Sequence, residues 1–97
     1  MTRTMLDIAY EILGETDKQT LKQIYAVVAK ELKPRWKEEQ SHLSVPEIET
    51  NKLGELYKLL TVDGRFLRTK EGSWTLVEKY TIEERKALKL QVKDSLD

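Results

Sequence analysis

Five cations fall within nineteen positions of this chain: Lys52, Lys58, Arg65, Arg68 and Lys70, set against Glu55 and Asp63. Five minus two leaves a local charge of plus three in a chain that totals 17 basic and 17 acidic residues. A cluster of this kind attracts phosphates or an acidic protein surface. The formal net charge of zero lacks the excess that drives sequence-independent attraction to nucleic acid, so a free-standing phosphate binder is disfavoured. The alternative is that the cations are the solvated face of an edge strand, where such charges are common.

Catalytic chemistry has little to build on. The one histidine, His42, sits in a polar stretch near Glu38 and Glu39, with neither a second histidine nor a cysteine to complete a ligand set or a nucleophilic pair. No Gly-rich dinucleotide fingerprint, P-loop or nucleophile elbow occurs. We therefore expect no enzyme, no cofactor and no metal centre. Absence of cysteine also removes any disulfide framework and is compatible with a cytoplasmic protein. The N-terminal "MTRTMLDIAY" lacks the apolar core of a signal peptide, and no membrane span is expected.

With 97 residues, 39% hydrophobic and 35% charged, the chain suits one domain with one modest core. Thr4 precedes Met5, Ile8, Ala9 and Ile12 on one helical face, which predicts a first helix over Thr4 to Leu13 stopped by Gly14 in a left-handed conformation. "GETDKQ" reads as a loop with a short strand at Gln19 to Thr20. Thr20 and Gln23 form a capping-box pair, and Leu21, Ile24, Tyr25, Val28 and Leu32 carry a second helix to a stop or kink before Pro34. "PRWKEEQSHLS" reads as a long loop or irregular extension. Ser44, Pro46 and Glu47 start a third helix, roughly Glu47 to Leu60, with Leu53, Leu56, Tyr57 and Leu60 inward and Gly54 as either a close-packing point or a tolerated defect.

The period then changes. Asp63 and Gly64 turn the chain out of the helix, and Phe66 to Thr69 and Trp74 to Val77 form a hairpin with Gly72 at positive φ. Thr81 and Glu84 open a further helical segment with Leu88, Val92 and Leu96 as a narrow stripe. The expected class is α+β: a winged-helix variant with a three-helix core, a small antiparallel hairpin, a possible third strand and an extra C-terminal helix. Its third helix would expose Glu47, Glu49, Lys52, Glu55 and Lys58, with only Asn51 suited to pairing a base edge, so major-groove reading is disfavoured. Trp74, Tyr25 and Tyr57 are core by default.

One stretch goes further. Tyr57, Leu60, then Asp63-Gly64-Arg65-Phe66-Leu67, then Trp74, Leu76 and Tyr80 resemble the Y-x-x-L-x-x-DGRFL…W-x-L…Y signature of the RNA polymerase delta subunit N-terminal domain, the HARE-HTH winged-helix family. The resemblance is strong over Leu56 to Tyr80 and looser through the first two helices. It implies a winged-helix domain over residues 1–80 and a non-catalytic accessory subunit. Such a subunit binds core RNA polymerase, sharpens promoter selectivity and aids enzyme recycling. Most signature residues would be structural, leaving Lys52, Lys58, Arg65, Arg68 and Lys70 for the partner. Two departures stand out: a longer, polar Pro34 to Leu43 connection, and residues 81–97 as a mixed helical extension where the family has an acidic tail. The reading is thus a monomer with core polymerase as partner, weak or absent direct DNA binding and no membrane. The alternative is a DNA-binding winged-helix regulator.

Overall fold

The computed structural model describes residues 3–88. Its elements run α1 (Met5–Glu15), β1 (Gln19–Thr20), α2 (Leu21–Glu39), α3 (Val45–Val62), β2 (Phe66–Arg68), β3 (Ser73–Leu76), a 3-10 turn (Val77–Lys79) and α4 (Ile82–Leu88). This is the expected α+β layout, with three packed helices and a three-stranded antiparallel sheet in the order β1-β3-β2.

Every helix start foreseen from side-chain pairs is a closed capping box. Thr4 with Asp7, Thr20 with Gln23 and Ser44 with Glu47 each exchange hydrogen bonds between side chain and backbone. Thr81 and Glu84 do the same ahead of α4, at 2.8 and 3.1 Å. Each box satisfies two amide N–H groups that the first helical turn leaves without partners, worth about 1 kcal/mol apiece. The same bonds hold the carboxyls of Asp7 and Glu47 below their ordinary range, because backbone N–H groups favour the charged form.

The helices end where burial ends rather than where glycine or proline stands. Gly14 lies inside α1, which continues to Glu15 and closes on Thr16, whose N–H reaches the Ile12 carbonyl at 3.0 Å. Pro34 lies inside α2, which runs on to Glu39. The expected long loop is therefore helix as far as Glu39 and a short turn after it. The physical reason is Trp36, which is 4% exposed and continues the buried row of Ile24, Val28 and Leu32. Its ring lies 6.2 Å from that of Tyr25, the planes 22° apart.

Ile8, Leu13, Ile24, Val28, Leu56 and Leu60 are fully buried at the centre of the three-helix core, and Phe66, Trp74 and Leu76 close it from the sheet. Register pairs Phe66 with Leu76 and Arg68 with Trp74, while β1 sets Gln19 against Trp74. Gly72 takes φ +89°, a conformation costly for any residue with a Cβ, and its N–H closes the hairpin tip on the Thr69 carbonyl at 3.0 Å. Tyr57 departs from expectation: it is 42% exposed, on the rim of the sheet rather than in the core.

Gly54 is a tolerated defect. A Cβ placed there meets nothing within 4 Å, so no packing requires its absence. Gly54→Ala is expected to raise stability by about 0.5–1 kcal/mol by removing backbone freedom from the unfolded chain. Urea denaturation checks this, and a lower midpoint would contradict it.

Of the C-terminal extension, α4 buries no side chain and is tied to the domain by hydrogen bonds. Arg85 Nε donates to the Val77 and Tyr80 carbonyls, both at 3.1 Å, and the Lys70 N–H donates to the Leu88 carbonyl at 2.9 Å. Val92 and Leu96 of the expected stripe lie outside the described residues. Among the described residues, no helix is long and apolar enough to cross a membrane.

Candidate docking face

The five candidate cations do not form one patch. Lys52 lies on the far side of α3, its ammonium 5.5 Å from the centroid of Trp36 and 3.3 Å from the Glu55 carboxylate. It covers the core tryptophan and is neutralised there. Arg65 faces α1: its guanidinium carbon is 5.2 Å from the Tyr10 ring centroid, and it pairs with Asp63 through two bonds of 2.9 and 3.1 Å. The Asp63 carboxylate also accepts the Arg65 backbone N–H at 2.9 Å. These bonds hold Asp63 below the usual carboxylate range and raise Arg65 above the ordinary guanidinium value. Asp63 and Arg65 therefore form the turn's internal clasp and leave little free charge for a partner.

Arg68 is half-buried, not a free surface charge. Its guanidinium carbon lies 5.5 Å from the Tyr57 ring centroid and 5.8 Å from that of Trp74, and Nη1 donates to the Tyr57 hydroxyl at 3.0 Å. The Tyr57 and Trp74 rings meet edge to face at 6.3 Å. β3 brings Trp74 opposite Arg68, and α3 supplies Tyr57 from its last turns, so three elements build one aromatic and cationic ladder. Such contacts hold an arginine in one orientation and contribute about 1 kcal/mol each. Lys58 on α3 and Lys70 at the hairpin tip are exposed. Neither makes an ion pair among the described residues, and nor does Arg68.

Of the α3 residues expected on an exposed face, Glu47 is held by its cap and Asn51 is exposed, but Glu49 is half-buried and pairs with Lys33 of α2. His42 is exposed in the turn after α2, and among the described residues no group of three acidic, histidine or cysteine side chains is placed to hold a metal.

The remaining signature residues are structural. Leu60, Phe66, Leu67, Trp74 and Leu76 are buried, and the Tyr80 hydroxyl donates to Asp17 at 2.8 Å, tying the end of the domain to the α1–β1 loop. Sequence reasoning missed Arg85 and Val62, which line the same groove as Arg68. The signal available for Arg85 was its place four residues after the Thr81 cap, one turn into the helix that the Thr81 and Glu84 pair opens. No protein-family model, curated protein or solved structure gives a match to this chain.

Proposed function

We propose that this chain is a delta-type accessory subunit of bacterial DNA-directed RNA polymerase. In this reading it is a cytoplasmic, non-catalytic domain that docks on core enzyme and modulates initiation specificity and recycling. The observation that carries the reading is the unbroken signature from Tyr57 to Tyr80: its Leu60, Phe66, Trp74 and Leu76 share one buried core, and its Tyr57 and Trp74 rings meet edge to face at the rim, where Arg68, outside the signature, lies against both. A docking domain needs a limited complementary patch rather than global positive charge, which agrees with the neutral total.

Of the five candidate cations, Lys58 and Lys70 are the two with neither an ion pair nor a ring contact among the described residues, which makes them the sites for charge reversal. Lys58→Glu with Lys70→Glu is expected to weaken retention of the chain on core polymerase roughly five- to tenfold while leaving the fold intact, the scale of two rim charges. Pull-down at about 1 μM wild-type chain reads the effect; no retention of the wild type removes the proposal. The DNA-binding alternative is favoured by one observation, that Lys58, Arg68 and Lys70 lack carboxylate partners among the described residues. It requires affinity for duplex DNA that falls steeply with salt, whereas a docking domain gives a flat titration at low salt.

A further inference from the structure

A groove of about 460 Å³ runs between the last turn of α3, the hairpin and α4. Trp74, Phe66 and Leu67 are its buried floor, and Val62, 74% exposed, forms an apolar lip beside the half-exposed Tyr57. Two arginines line it, Arg68 and Arg85, and neither has a carboxylate partner among the described residues. Arg68 is held against two rings, and its Nε is buried with no hydrogen-bond acceptor. Arg85 uses its Nε on the Val77 and Tyr80 carbonyls, which fixes the guanidinium beside the groove. The groove's own acid, Asp63, is already committed to Arg65 through both oxygens.

Two oriented guanidinium groups without counter-ions, next to exposed apolar surface, suit a carboxylate with an apolar neighbour. We propose that this groove binds a short acidic segment of a protein partner, with one carboxylate against Arg68 and Arg85 and an adjacent apolar side chain against Val62 and Tyr57. A protein segment fits better than nucleic acid. A phosphate backbone carries a charge at every step and would have to pass Asp63 and the apolar lip, whereas a single carboxylate need not. The groove lies on the face assigned to polymerase docking, and only the identity of the partner rests on that reading. A test on the isolated chain therefore lets the two fail separately.

The test is an NMR titration of the 15N-labelled full chain with the peptide acetyl-Asp-Leu-Phe-Asp-amide. Acetyl-Lys-Leu-Phe-Lys-amide and a short DNA duplex serve as parallel arms. The acidic peptide is expected to move the Nε–H signals of Arg68 and Arg85 and the indole N–H of Trp74 saturably, with a Kd of about 5 mM or tighter. Arg85→Gln should weaken this at least about fivefold, the scale of one charge-assisted hydrogen bond. Val62→Glu, at the exposed lip, should do the same by repelling the carboxylate while keeping a dispersed spectrum, so a folding defect cannot mimic the result. No shift with the acidic peptide, equal shifts with the lysine peptide, or shifts with the duplex alone would each overturn the proposal.

Discussion

Trp36→Ala is expected to cost about 3–5 kcal/mol of folding free energy, the range for deleting a buried large aromatic. Trp36 is 4% exposed, stacks on Tyr25 and lies beneath the Lys52 ammonium, so its loss empties the junction of α2 and α3. A domain of this size holds only about 5–15 kcal/mol in total, and the Tm should fall by about 12 °C or more. A second consequence is local. Proline in a helix interior costs about 3 kcal/mol, and α2 continues through Pro34 because burial of Trp36 offsets that cost. Without the indole the offset disappears, and amides of Lys37 to Glu39 should lose hydrogen-exchange protection before the rest of α2. Trp36→Phe, which keeps a buried ring, should show only a small part of either loss. A loss below about 1 kcal/mol for the alanine variant would mean that Trp36 is not what carries the helix past the proline.

Arg68→Glu should cost about 2–4 kcal/mol, because it replaces a cation held against two rings by a carboxylate facing their negative π clouds, with little water to compensate. Charge reversal here is thus first a test of the fold. Arg68→Met separates the roles. Its flexible apolar chain can still lie between Tyr57 and Trp74, and it removes a buried Nε that lacks an acceptor, so stability should change by less than about 1 kcal/mol. If the guanidinium serves a ligand, the same variant should lose the acidic peptide and weaken docking on polymerase. Thermal denaturation of both variants, read beside the titration, distinguishes these roles. An Arg68→Glu protein as stable as the wild type would show that the rings do not hold the guanidinium.

The structure divides residues that the sequence had presented together. Arg65 and Arg68 are three positions apart on a short extended stretch, and linear spacing made both look like exposed wing cations. Cross-strand register decides otherwise: Arg68 stands opposite Trp74 within reach of Tyr57, while Arg65 remains in the turn, where Asp63 lies close enough to bind it twice. Lys52 was grouped with them by sequence proximity alone. Helix geometry puts it on another face, over a tryptophan in the stretch whose composition reads as a long loop or irregular extension.

What the sequence determined by itself was local: where each helix begins, that Gly72 is the hairpin tip, and that the element order is that of a winged helix. These depend on side chains bonding their own backbone within three residues, or on one residue's φ, and need no distant partner. Tertiary structure alone decided where α1 and α2 end, that Tyr57 is on the rim, and that Arg68, Arg85 and Val62 share a groove. Those outcomes balance a local penalty, such as proline in a helix, against apolar area buried on another element. Such a balance cannot be struck until the two elements meet.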